Sequence, residues 1–203
     1  MQPPSIDAAI DQITTLFTQR GDDQYHGEPV TQHEHALQCA QLAEQAGAEA
    51  ETVIAAYLHD IGHLLVSDDA TDHMDGYGRI DHERLGANFL RNLGFSERVA
   101  ILIENHVNAK RYLVAKNPTY GQNLSEASQQ TLAFQGGPMT PAECMEFEQY
   151  PDFTTILRLR TWDERAKLTN HISPDPARYI ALCRTHLARP ARGRSSKPYI
   201  LTE

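Results

Sequence analysis

Ten histidines stand in an acidic chain of 203 residues, and five positions pair a metal-binding residue type with a helix-like stretch. They are His35, the adjacent pair His59-Asp60, His82, His106 and Asp163. A lone histidine on an apolar face is ordinarily a hydrogen-bonded core residue, but these positions do not behave independently. His59 and Asp60 flank the apolar stripe Val53, Ile54, Tyr57, Leu58 and Ile61, so both side chains turn toward the core. Burying an imidazole beside a carboxylate is costly unless something satisfies both, and a divalent cation would do so. Asp60 has two oxygens and can bridge two metals. One coherent arrangement puts His35, His59, Asp163 and one oxygen of Asp60 at a first metal, with His82, His106 and the other oxygen at a second. Imidazole and carboxylate ligands without thiolate favour iron, manganese or zinc over copper(I) or calcium.

The elements that must position these groups read as helices throughout. Ile6, Ala9, Ile10, Ile13, Leu16 and Phe17 follow the three-and-four rhythm of an amphipathic helix, with Ser5 to cap it and Gly21 to stop it. A second helix runs through Leu37, Ala40, Ala43 and Ala46 to Gly47, and a third carries the His59-Asp60 pair through Ile61. Residues 66 to 81 are rich in Asp and Gly and read as a long loop that could act as a lid. Leu85 to Leu93 form a short helix stopped by Gly94, and Val99, Leu102, Ile103, His106, Val107 and Lys110 share one helical face. Thr140-Pro141-Ala142-Glu143 is a capping box, Phe153 to Ala166 another helix, and Asp175-Pro176 opens the last. With no period-2 run and no internal repeat, the expectation is an all-α, bundle-like single domain of seven to nine helices over residues 1–188. Residues 189–203 have linker composition and read as a flexible basic tail.

Composition narrows the function. A chain of this length buries about 70% of its extended surface and needs no staples. Nothing approaches the roughly 18 consecutive apolar residues of a membrane span, and the N-terminal residues show neither a basic nor an apolar leader segment, so the expected location is the cytoplasm. Cys39, Cys144 and Cys183 lack CxxC spacing and fit neither a disulfide framework nor a thiolate cluster. Residues 189–203 hold four basic side chains and one acidic, net +3; against −9 for the whole chain, residues 1–188 carry −12. Such a body repels a phosphate backbone, which argues against nucleic acid as a partner.

Glu34-His35, His59-Asp60-Ile61-Gly62-His63, His82, His106 and Asp163 resemble the ordered ligand signature of the HD-domain superfamily, over roughly residues 25 to 170. Tyr25-His26-Gly27-Glu28, His106 to Leu113, Phe134-Gln135-Gly136-Gly137-Pro138-Met139 and Arg158 to Asp163 are more specific. They look like the phosphonate-degrading branch, mixed-valent diiron oxygenases that cleave the carbon–phosphorus bond of 2-amino-1-hydroxyethylphosphonate or its N-trimethyl analogue. The resemblance implies an HD-domain helical bundle. It also implies one iron on His35, His59, Asp60 and Asp163, and a second on Asp60, His82 and His106, with Asp60 bridging. Tyr25 falls where that branch places a tyrosine that ligates the second iron until substrate binds, and Glu28 where a carboxylate receives the substrate's ammonium. His63, Lys110, Ser128 and Arg160 fall where the branch contacts the phosphonate or supports the metal shell. Phosphate and glycine, or glycine betaine, would be the products, O2 the co-substrate, and an upstream hydroxylase the source of substrate.

Charge supports the assignment from the residues themselves: an acidic protein needs local cations for a doubly anionic phosphonate. Lys110 lies one turn after His106, and Arg160 three residues before Asp163. At the other end of the substrate, Tyr57 and Tyr77 are candidate aromatic walls for a quaternary cation. The alternative is an HD-type metal-dependent phosphohydrolase in which the same ligands activate water against a phosphate ester. Tyr25 and Glu28 argue against it, since hydrolysis needs neither a displaceable phenol nor a cation-binding carboxylate. A regulatory HD module would be expected to lack one or more ligands, and none is missing. His33 points about 200° away from His35 on a helix and reads as solvated. His26, His73, His171 and His186 need no chemistry, and Cys39 reads as core.

Overall fold

In the computed structural model the described residues are 2–25, 27–65, 74 and 78–189. His26, His73, Tyr77, most of the 66–81 stretch and residues 190–203 of the tail lie outside them. The described residues form eleven α-helices, one 3-10 turn and an isolated bridge between Gln24 and Thr31, with no strand. The all-α expectation is therefore met, with more helices than the periodicity predicts.

The first three helices are α1 (Ile6–Arg20), α2 (Gln32–Gln45) and α3 (Ala50–Leu58). Ser5 caps α1 through the Ala8 amide, and Thr31 with Glu34 closes a capping box on α2 that fixes the turn carrying His35. Every residue from Thr52 to Leu58 is buried, so α3 is apolar all round and sits at the centre, with α2, α5 (Glu97–Glu104), α10 (Phe153–Arg165) and α11 (Pro176–Leu187) packed on it. The predicted third helix is too long. α3 stops at Leu58, His59 is its C-cap, Asp60 leaves helical geometry at φ −101° and ψ 9°, and a 3-10 turn follows over Ile61–Leu64.

Two further differences come from polar residues that interrupt an apolar rhythm. The predicted face from Val99 to Lys110 belongs to two helices, α5 and α6 (His106–Lys116), which meet at Asn105, whose Nδ2 donates to the Ile101 carbonyl at 3.0 Å. Asn117 then caps α7 (Pro118–Gln122), and Ser125 caps α8 (Glu126–Phe134); neither short helix has an apolar stripe long enough to read. α4 (His82–Leu93) begins three residues before its predicted apolar start, so that His82 is its first residue. The capping box at Thr140 and Glu143 forms as expected on α9 (Pro141–Phe147).

Close backbone approach fixes α4 against the 3-10 turn. A Cβ on Gly62 would lie 1.9 Å from the His82 carbonyl oxygen, and one on Gly86 would lie 3.1 Å from the Gly62 nitrogen. Only glycine at position 62 lets the turn that follows Asp60 touch the backbone of His82. Gly62→Ala is therefore expected to destabilise the fold by about 1–3 kcal/mol through overpacking and to displace His82. Gly47→Ala, at φ +68° in open space, costs only conformational strain of about 1–2 kcal/mol. Thermal unfolding and bound-metal content of the two variants check this: both lose stability, but only Gly62→Ala loses metal.

Candidate metal centre and substrate cleft

The structure brings His35 from α2, His59 and Asp60 from the end of α3, His82 from α4, His106 from α6 and Asp163 from α10 to one buried point. None is more than 8% exposed. The Asp60 carboxylate lies at the middle. Its Oδ2 is 3.6 Å from His35 Nε2 and 3.3 Å from His59 Nε2, while its Oδ1 is 3.3 Å from His82 Nε2 and 3.4 Å from His106 Nε2. Asp163 Oδ1 faces the first pair only, at 3.4 Å from His35 and 3.9 Å from His59. Two donor sets thus share Asp60, one through each oxygen.

Backbone carbonyls decide which imidazole nitrogen points inward. His35 Nδ1 donates to the Ala166 carbonyl at 2.8 Å, His59 to Ala56 at 2.9 Å, His82 to Arg79 at 3.2 Å and His106 to Ile103 at 2.7 Å. A carbonyl can only accept, so the proton of each neutral ring sits on Nδ1 and the lone pair on Nε2 faces the centre. All four acceptors lie at or beside helix ends, where carbonyls lack intrahelical partners. Lone pairs then meet at 3.2 Å between His35 and His59, and again between His82 and His106.

That arrangement calls for positive charge. Asp60 Oδ2 and Asp163 Oδ1 are buried and have no hydrogen-bond partner. Burial alone would lower the pKa of His59 and His82, yet the neighbouring carboxylates outweigh it and hold both above the usual imidazole value. His106 goes the other way, down to about 3, by burial and by repulsion from the other imidazoles. Asp60 and Asp163 are held well below the usual carboxylate range against their burial, Asp60 chiefly by His59 and Asp163 chiefly by Arg160. Protons satisfy such a cluster only unevenly, whereas divalent cations would satisfy all four imidazoles and both orphaned oxygens. Among the described residues, three groups could hold a metal: His35, His59 and Asp163; His59, Asp60 and His106; and Asp60, His63 and His82. The donor set therefore fits two metal ions.

A cleft opens over this centre, and Tyr25, Glu28, His63, Lys110, Ser128 and Arg160 all line it. Tyr25 stacks on His35 at 4.0 Å; burial, then the nearby charges of Asp60 and Asp163, raise its phenol pKa well above normal. His63 stacks on His82 at 3.8 Å, and its Nδ1 accepts from the Arg79 amide at 3.0 Å. Lys110 Nζ donates to Thr131 Oγ1 at 2.9 Å and to the Ser128 carbonyl at 3.4 Å; burial, then Arg160, lower its pKa to about 7. Arg160 pairs with Asp163 and reaches Glu164 at 2.8 Å, Ser128 Oγ at 3.3 Å and the Tyr120 hydroxyl at 3.1 Å. Those contacts use four of its five N–H groups.

Sequence reasoning overlooks Lys167, which lines the cleft, and Tyr120 and Glu164, which hold Arg160. Glu164 and Lys167 stand four and seven residues after Arg160, a spacing that signals a shared helical face. Lys167 Nζ lies 2.7 Å from Glu28 Oε1, so the carboxylate expected to await a substrate ammonium already has a cation. Tyr57 is not at the cleft. It stacks between Phe17 at 5.0 Å and Tyr179 at 5.3 Å, and its hydroxyl bonds with His33 Nε2 at 3.2 Å. His33 is accordingly half-buried on Phe17 rather than solvated, though it does face away from the centre. Cys39 is fully buried in the core.

Among the described residues no helix is long and apolar enough to cross a membrane. The HD domain family profile matches residues 33–133. The chain is 42% identical over 166 residues to the [1-hydroxy-2-(trimethylamino)ethyl]phosphonate dioxygenase (glycine-betaine-forming) of Leisingera caerulea, covering 82% of this chain and 84% of that one. It is 43% identical over 173 residues to the hydroxymethylphosphonate dioxygenase of Gimesia maris, covering 83% and 85%. An uncharacterized protein of Acanthamoeba polyphaga mimivirus is 44% identical over 159 residues, 78% of this chain and 73% of the viral one. With the ligand order, the helical fold and identity over most of the chain in agreement, the protein belongs to the HD-domain family, in the branch that holds the hydroxyphosphonate dioxygenases.

Proposed function

We propose that the protein is a diiron oxygenase that cleaves the carbon–phosphorus bond of a phosphonate bearing a hydroxyl on the carbon next to phosphorus. The observation that carries this reading is Asp60, whose two oxygens face two separate imidazole pairs at the floor of a cleft where Lys110, Ser128 and Arg160 converge. The names of the two dioxygenase relatives support it, because both substrates are phosphonates hydroxylated at that carbon.

Two irons, one ferrous and one ferric, held by His35, His59, Asp60 and Asp163 and by Asp60, His82 and His106, would supply O2 activation and the redox chemistry when bound. The chain's own groups bind and orient the substrate. Lys110 has a third ammonium proton and Arg160 a fifth N–H left for phosphonate oxygens after their protein contacts. A phosphonate arriving at Lys110 also favours its charged form, since an adjacent anion offsets the burial that lowers its pKa. Tyr25, stacked on His35 at the cleft wall, is the group a substrate hydroxyl would displace. Arg160 also fixes Asp163, so the anion subsite and a metal ligand are mechanically joined. In the balanced reaction one O2 and the hydroxyphosphonate dianion give a carboxylate, hydrogen phosphate and a proton. A 2-amino or 2-trimethylammonio substrate would give glycine or glycine betaine, and a prior hydroxylation would have to supply it.

Two outcomes are expected. Iron-loaded protein incubated with hydroxyphosphonates releases inorganic phosphate, followed by phosphorus NMR, only when O2 is present; release under anaerobic conditions would contradict the oxygenase reading. Replacing Lys110 by Met removes a charged hydrogen bond to the anion, so Lys110→Met lowers kcat/KM by about 10- to 100-fold, mainly through KM, with iron content retained. Loss of iron in that variant would place Lys110 in the metal shell and not in the anion subsite.

A further inference from the structure

The tail end of the cleft carries a charge arrangement that the oxygenase reading does not use. Lys167 lies two residues beyond the end of α10, and its Nζ is 2.7 Å from Glu28 Oε1, 3.1 Å from Ser125 Oγ and 3.4 Å from Glu164 Oε1. Both ends of the Lys167–Glu28 pair line the cleft, and their side chains are only 13% and 9% exposed. An ammonium has three protons, and these three oxygens match them. Glu164 is in turn held by Arg160 at 2.8 Å, so two cations face two carboxylates on this side of the cleft.

We propose that Lys167 is a built-in counter-ion filling the cation subsite at Glu28, and that the enzyme therefore selects hydroxyphosphonates whose tail carries no ammonium group. The inference rests on the oxygenase reading for its substrate class. A substrate ammonium reaching Glu28 has two courses. It displaces Lys167, leaving a nearly buried ammonium without its closest anion, or it shares the carboxylate with Lys167 and sets two cations a few ångströms apart where solvent screens them poorly. A short or uncharged tail leaves the pair intact and loses nothing. Tyr57, the described residue considered as an aromatic wall for a quaternary cation, is packed away from the cleft. The same geometry makes the pair a fixed end wall, which favours a small substrate.

The test compares kcat/KM of the iron-loaded enzyme for hydroxymethylphosphonate, 2-amino-1-hydroxyethylphosphonate and its N-trimethyl analogue, in wild type and in Lys167→Met. Wild type is expected to favour hydroxymethylphosphonate by about tenfold or more, and Lys167→Met to shift the ratio toward the two cationic substrates by a similar factor, chiefly through KM and with iron content unchanged. If Lys167→Met does not fold, the Glu28→Gln/Lys167→Met double variant removes both charges, and its preference for hydroxymethylphosphonate is expected to be smaller than that of wild type. A wild type that prefers a cationic substrate, with a ratio that Lys167→Met leaves alone, would overturn the inference. Absence of O2-dependent turnover of all three phosphonates would overturn the oxygenase reading instead. Calorimetric binding of the same three compounds to the iron-loaded protein then decides the inference alone, the same order of affinities being required.

Discussion

Everything at this centre follows from one constraint: a buried carboxylate, Asp60, is faced on both oxygens by imidazole nitrogens that carry lone pairs. Oδ2 looks at His35 and His59, Oδ1 at His82 and His106, all between 3.3 and 3.6 Å. Negative charge and four lone pairs in a dry interior are mutually unfavourable, and the cluster is tolerable only with cations among them. The opposed shifts of His59 and His106 express the same frustration, since one imidazole gains a proton that its neighbours then repel. Bound metal ions would remove the conflict at once, which makes metal binding part of the stability of the site as well as of its chemistry.

The fold serves this constraint through its helix ends. Ala56 and Ile103 belong to the last turns of their helices, Ala166 is a C-cap, and Arg79 precedes α4, so each has a carbonyl available to hold one Nδ1–H. Carbonyls in the middle of a helix are already occupied. A bundle of many short, interrupted helices around the apolar α3 therefore supplies orienting groups that a few long helices could not. The glycine contact between the Ile61–Leu64 turn and the start of α4 brings the two halves of the centre within one carboxylate's reach.

These interruptions are also where the chain was hardest to read. Residue types and order pick out the side chains that the fold brings together, because His59-Asp60 beside an apolar stripe and the ordered histidines that flank it are visible in the sequence itself. Periodicity nevertheless carries α3 through Ile61 and joins Val99 to Lys110, since apolar residues continue across both breaks while the breaks are made by single polar residues. Local patterns recover caps well, as at Ser5 and Thr140. Long-range pairing leaves weaker traces. Nothing near Glu28 announces that Lys167, 139 positions away, neutralises it, and nothing near Tyr57 announces that Phe17 and Tyr179 enclose it.

The cleft joins these themes, for Arg160 touches Asp163, a proposed metal ligand, and a cleft wall, Ser128, with one guanidinium. Binding at the anion subsite and order at the centre are thereby coupled through a single rigid group. The account stands on Asp60 serving two metals, and anomalous diffraction at the iron edge from crystals of the iron-loaded protein tests that directly. Two peaks are expected, one on each side of Asp60, the first beside His35, His59 and Asp163 and the second beside His82 and His106. A single peak, or iron bound away from Asp60, would contradict it.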